Sequence, residues 1–129
     1  MQFRYTILYV ADVAVTLEFY ERAFGIKQKM IHDSGDYGEL ATGDTKLSFS
    51  SKSLMETLGK SPGDVDPAAP IFEIAFETDN VASALKRAVD AGATLVQDVE
   101  EMPWGQTTAY VRDNNGFLVE LCTAVVPQE

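Results

Sequence analysis

The chain states its plan twice. Residues 3–11 are rich in aromatic and branched side chains and predict a strand. Asp12 then caps a run in which Val13, Leu17, Tyr20 and Phe24 recur at helical spacing before Gly25 stops it. The same order restarts at 71–78, with Asp79 or Asn80 as the cap, Val81, Leu85, Ala88 and Val89 at helical spacing, and Gly92 as the stop. Asp12-Val13 answers Asn80-Val81, Phe24-Gly25 answers Ala91-Gly92, and Leu47-Ser48-Phe49 answers Val119-Glu120-Leu121. A repeat of strand, helix and three strands limits the fold more than any single motif, because each copy must bury the apolar stripe of its helix on its own strands.

Between these anchors, residues 27–32, 37–42 and 45–51 predict a meander broken at Ser34-Gly35-Asp36 and Thr42-Gly43-Asp44. Ser53 and Glu56 have the spacing of a capping box and predict one helical turn before Gly59. A linker with three prolines, 61–70, separates a first module, 1–60, from a second, 71–126, within one domain spanning 1–129. In the second module a short strand at 94–97 and the segment Met102-Pro103-Trp104-Gly105-Gln106 lead into a closing hairpin over 106–123. Asn115-Gly116 predicts a type I′ turn with two positive-φ positions.

Alternation along the strands sorts side chains into two faces. Thr6, Leu8 and Val10, Leu47 and Phe49, Phe72, Ile74 and Phe76, and Val119 and Leu121 are expected under the helices. The other face carries Tyr5, Ile7 and Tyr9; Lys46, Ser48 and Ser50; Glu73, Ala75 and Glu77; and Leu118, Glu120 and Cys122. It is too polar for a dry core and too aromatic for a plain surface. Two readings stay open: a small-molecule cleft, or cross-strand pairs on a solvated sheet.

A chain of 129 residues with 46% hydrophobic and 23% charged content reads as an ordinary globular protein. Its net charge of -10 and pI near 4.4 argue against nucleic acid or an anionic membrane surface as partner, and favour a cationic or neutral ligand. The lone Cys122 excludes an internal disulfide, and neither a signal-peptide core nor a membrane-length apolar run is present, so the cytoplasm is expected.

Three stretches together resemble the vicinal oxygen chelate superfamily, which includes glyoxalase I, bleomycin-resistance proteins, fosfomycin-resistance enzymes and extradiol dioxygenases. They are Leu8 to Asp12 with Leu17, Phe19, Tyr20 and Phe24-Gly25; Glu73 to Asn80; and Val111 to Leu121. The resemblance implies an α+β fold of two βαβββ modules whose mixed sheet is cupped, with helices on the outer face, often within a homodimer. It also implies a divalent metal in the cup of the enzymes. The family's ligand positions fall at Tyr5, Ser48, Glu73 and Glu120, of which only Glu120 is a customary ligand. The one histidine, His32, falls on the second strand, away from all four. Tyrosine and serine are neutral near pH 7 and weak donors, so a zinc, nickel or iron site is not expected, whereas the two carboxylates with a tyrosine and several waters could hold a hard ion such as Mg²⁺ or Mn²⁺.

Two functions follow from the resemblance. The first is a metal-free binding module, similar to bleomycin-resistance proteins, with Tyr5, Ile7, Tyr9, Ser48, Glu73, Trp104 and Glu120 around a small organic molecule. The second is a lyase or isomerase resembling lactoylglutathione lyase, with Glu120 and Glu73 moving a proton beside a carbonyl. Without a metal, Glu73 and Glu120 would share a proton or take a cationic partner, with Tyr5 or Lys46 as further candidates. Cys122 is expected to be a small buried hydrophobe and His32 a surface or edge-strand residue.

Overall fold

A computed structural model describes residues 1–125. The chain divides into two compact units, Met1–Asp64 and the remainder from Val65, a boundary inside the expected linker. The last residue assigned to the second module, 126, lies outside the described residues.

The first unit runs β1 (Tyr5–Val10), α1 (Val13–Phe24), β2 (Gln28–Ile31), β3 (Tyr37–Leu40), β4 (Lys46–Ser51) and α2 (Lys52–Thr57). Its sheet has the order β1-β4-β3-β2, with β1 parallel to β4 and the other pairs antiparallel. Asp12 caps α1 by accepting from the Val15 N–H at 3.0 Å, and Gly25, at φ 70, ends it in the left-handed conformation. The helix packs on β2, β3 and β4. Val13, Leu17, Tyr20, Leu40, Leu47 and Phe49 are buried there, and the Tyr20 and Phe49 rings lie 5.1 Å apart. Each such side chain stabilises the unit by roughly 1.5–3 kcal/mol through the apolar area it removes from water.

The second unit runs β5 (Glu73–Glu77), α3 (Val81–Asp90), β6 (Thr94–Glu101), β7 (Thr107–Arg112) and β8 (Leu118–Cys122). Its sheet repeats the pattern as β5-β8-β7-β6, with β5 parallel to β8. Asn80, rather than Asp79, caps α3 by accepting from the Ser83 N–H. Val81, Leu85 and Ala88 are buried with Ala109, Val111, Val119 and Leu121, whereas Val89 stays exposed. These units are the two βαβββ modules, each with a mixed four-stranded sheet, and the fold is α+β.

Several local expectations are corrected. Ser51, not Ser53, caps α2, its hydroxyl accepting from the Leu54 N–H at 3.1 Å. Strand β6 extends to Glu101, well past the 94–97 expected, because two register shifts let it follow β7 despite its broken alternation. Thr6 and Phe72, assigned to the covered face, are exposed. The 113–117 turn is not type I′. Among the described residues only Ser61 has positive φ without being glycine, so Asn115 does not. The Gly116 N–H bonds to the Asp113 carbonyl and Gly116 alone takes φ 89, the pattern of a type I turn followed by a left-handed glycine. The buried Asp113 carboxylate organises it, accepting from the Asn115 and Phe117 N–H groups at 2.8 and 2.9 Å.

Candidate functional site

Each unit presents a polar sheet face, and register decides which side chains meet. In the second unit Ala75 pairs with Glu120 on one side, and Glu120 pairs with Tyr110 on the other. Glu73 and Glu77 on β5 therefore share a face with Glu120 and Cys122 on β8 and with Thr108, Tyr110 and Arg112 on β7. The Tyr110 hydroxyl donates to Glu120 Oε2 at 2.5 Å. Burial, then Glu120 and Glu73, raise the Tyr110 phenol pKa well above its usual value, so the phenol keeps its proton. Within its own unit, this phenol is the hydrogen-bond partner of Glu120. Arg112 at the far end donates instead to the Pro67 carbonyl at 3.0 Å. Among the described residues, none of the ion pairs involves Glu73, Glu77 or Glu120.

Cys122 is buried beside the same acids, and its thiol is pushed up to about 11 by burial first and then by Glu120, Glu77 and Glu73. It stays a protonated thiol at neutral pH. Trp104 stands 54% exposed in the β6–β7 turn, where its Nε1–H donates to Gln106 Oε1 at 2.7 Å and Gln106 in turn donates to the Thr123 carbonyl. The indole is thus a fixed aromatic surface.

The first unit arranges similar groups differently. Tyr5 pairs with Lys46, Ile7 with Ser48 and Tyr9 with Ser50. The Lys46 ammonium lies 5.4 Å from the centroid of the Tyr5 ring. Tyr5 and Ile7 are 43% and 42% exposed, Tyr9 is half-buried, and Ser48 is fully buried. Across from Ser48 on β3 stands Glu39. The Tyr37 hydroxyl donates to Glu39 Oε1 at 2.9 Å and lies 3.1 Å from Ser48 Oγ. A phenol has one proton, so Ser48 is the donor in the second contact. Burial is the main cause of the raised Tyr37 pKa, opposed by Ser48 and helped by Glu39.

The two units have therefore placed their acid on opposite sides of equivalent strand pairs. In the first, Glu39 on β3 faces Ser48 on β4. In the second, Tyr110 on β7 faces Glu120 on β8. Tyr37, Glu39 and Tyr110 were missed by sequence reasoning, which followed the family's ligand strands and did not count across to their neighbours. His32 is exposed at the end of β2, its Nδ1 2.8 Å from Ser34 Oγ in the β2–β3 turn, away from both faces.

As a donor set for a divalent metal, Tyr5, Ser48, Glu73 and Glu120 fit poorly. Tyr5 lies beside the Lys46 ammonium, and a tyrosine phenol and a serine hydroxyl are weak metal donors compared with the imidazole and carboxylate such ions take. Among the described residues, no group of three or more His, Cys, Asp or Glu is disposed to hold a metal ion.

Two βαβββ units, each with its first and last strands paired in parallel, are the modules the sequence resemblance implies. Residues 2–121 match the Glyoxalase/Bleomycin resistance protein/Dioxygenase superfamily, and the chain belongs to it. No curated protein matches the sequence significantly. Among solved structures, it is similar to a glyoxalase-related enzyme from Fulvimarina pelagi, with 21% identity, TM-score 0.78, and 95% of this chain and 88% of that one covered. A glyoxalase/bleomycin resistance protein/dioxygenase family enzyme from Burkholderia phytofirmans PsJN gives 21% identity and TM-score 0.79, over 95% and 97% of the chains. TioX from Micromonospora sp. ML1 gives 21% identity and TM-score 0.72, over 95% and 98%. At these identities the likeness shows the fold alone. Among the described residues, no helix is long and apolar enough to cross a membrane.

Proposed function

We propose that this protein is a binding member of its superfamily, which holds a small organic molecule against its polar sheet faces without a metal. One observation carries the reading: at the family's ligand positions the side chains are engaged by Tyr110, Tyr37 and Lys46. Groups held in this way make two recognition faces, one on each unit: Tyr5, Ile7 and Tyr9 beside Ser48 on the first, and Glu73 and Glu120 as acceptors with Trp104 as an aromatic contact on the second. Large apolar side chains exposed just before edge strands β1 and β5, namely Phe3, Ile71 and Phe72, support a homodimer. A single buried thiol, with no disulfide holding the fold, supports the cytoplasm.

Thermal unfolding of chelator-stripped protein, titrated separately with Mg²⁺, Mn²⁺, Ni²⁺ and Zn²⁺, tests the metal-free reading. A ligand that binds only the native state must raise the midpoint. No ion is expected to do so. A saturable rise with one ion, lost in Glu120→Gln, would overturn the reading in favour of a glyoxalase-type lyase or isomerase.

A further inference from the structure

We propose that Lys46 anchors the carboxylate of a small organic acid whose apolar part lies along Tyr5, Ile7 and Tyr9 on the face of the first sheet. The inference rests on the metal-free binding reading and names the class of ligand for one of its faces.

Register produces two parallel rows: Tyr5, Ile7 and Tyr9 on β1, against Lys46, Ser48 and Ser50 on β4. The apolar row is left in water to an unusual degree, with Tyr5 43% and Ile7 42% exposed on one strand. Beside it stands Lys46, a half-buried residue whose ammonium lies over the Tyr5 ring. In a chain of net charge -10, a lysine in such a place ordinarily finds a carboxylate. The ion pairs of this unit are instead Arg22–Glu18 and Lys52–Asp64, and among the described residues none involves Lys46. Glu39, the acid on the neighbouring strand, accepts from Tyr37. A cation held against an aromatic face has no counter-charge there, and its ammonium keeps donors to offer.

An anionic oxygen is the complement of that ammonium. The charge of the whole chain favours cations and neutral molecules at long range, whereas a contact at the ammonium itself is decided by the groups within a few ångströms of it. One ammonium beside an apolar wall suits a monoanion with a hydrocarbon body better than a phosphate, whose second charge the acidic protein repels.

The test is a titration of the full chain with benzoate, benzamide and inorganic phosphate, followed through backbone amide signals. Benzoate is expected to give saturable shifts at Tyr5, Ile7, Lys46 and Ser48, with weaker binding of benzamide and phosphate. Lys46→Met should lose about tenfold in benzoate affinity, the worth of one charge-assisted hydrogen bond, and Lys46→Arg should retain it. An unchanged thermal midpoint in Lys46→Met separates lost recognition from lost folding, and Lys46→Arg serves as the reference should that midpoint fall. Equal benzoate affinity in Lys46→Met, equal affinity for phosphate and benzoate, or no saturable shift overturns the proposal. Such failure, with the metal titration still flat, removes Lys46 and leaves the metal-free reading standing.

Discussion

The Tyr110 hydroxyl meets Glu120 Oε2 at 2.5 Å from a directly paired position on the neighbouring strand. A half-buried carboxylate is thereby satisfied by a phenol instead of a cation. Tyr110→Phe keeps the ring and removes the donor, so it isolates that contact. We expect a loss of about 1–3 kcal/mol in urea unfolding, the cost of leaving a charged acceptor short of its partner. An unchanged midpoint would show that water serves Glu120 equally well.

The same pair predicts an alkaline limit to stability. Burial and the two carboxylates raise the Tyr110 pKa above its ordinary 10.0, and Tyr37 is raised as well, mainly by burial. Above that ordinary value the unfolded chain releases protons that the native protein still holds, so stability falls as pH rises. The contribution is fully present below pH 10.0 and is lost progressively above it, toward the raised native values. Urea midpoints measured across this range should fall more steeply for wild type than for Tyr110→Phe. Parallel slopes would remove Tyr110 from the effect.

Cys122 offers a second probe of the acidic face. With its thiol pushed up to about 11, it should resist iodoacetamide at neutral pH and react only as the pH approaches that value. Glu120→Gln removes the larger of its acidic neighbours and should bring the reactivity profile down in pH, though not to the ordinary thiol range, because burial is the first cause. A wild-type thiol reacting as fast as an unfolded one would contradict the burial of Cys122.

The repeat and both long helices were legible because glycine stops, polar caps and apolar spacing are local signals. The partner of Glu120 was not, because the strands were not counted across the hairpin, and the expected turn would have given the wrong neighbour. A type I′ turn centred on Asn115-Gly116 would pair residues 114 and 117 and set Glu120 opposite Val111. The observed loop pairs Arg112 with Leu118 and sets Glu120 opposite Tyr110. One residue of register separates an unexplained acid from a satisfied one. The first unit hid its acid differently. Glu39 lies on β3 in a tyrosine-glycine-glutamate stretch with no family motif to mark it, and only the β3–β4 register brings it across from Ser48.

Gly38 is where α1 reaches the first sheet. A Cβ at this position would stand 2.7 Å from Leu17 Cδ1 and 3.1 Å from Val13 Cγ1, with the Met30 carbonyl oxygen at 3.3 Å. Leu17 and Val13 are both buried, so neither has open space to move into. Gly38→Ala should therefore destabilise the protein by about 1–3 kcal/mol through overpacking, despite relieving backbone entropy. Gly43→Ala is a useful contrast, since nothing lies within 4 Å of its Cβ and the cost there comes from φ 67 alone. Denaturant unfolding of the two variants, with helical circular dichroism as the check on α1, distinguishes packing from backbone strain.

Asp113 is the residue on which the register of β7 and β8 depends. Its carboxylate is 5% exposed and accepts from the backbone of Asn115 and Phe117, while its own N–H and carbonyl bond to the Phe117 carbonyl and the Gly116 N–H. Asp113→Ala leaves the backbone pattern possible but removes both side-chain contacts. We expect a loss of about 2–4 kcal/mol, from two hydrogen bonds to a charged acceptor and the exposure of their donors in a tight turn. Asp113→Asn can keep an acceptor oxygen in place and should recover part of that loss. A register slip in Asp113→Ala would also move Tyr110 away from Glu120. Combining it with Tyr110→Phe then yields less than the sum of the two losses. Full additivity in urea unfolding would show that the strand pair holds its alignment without the turn.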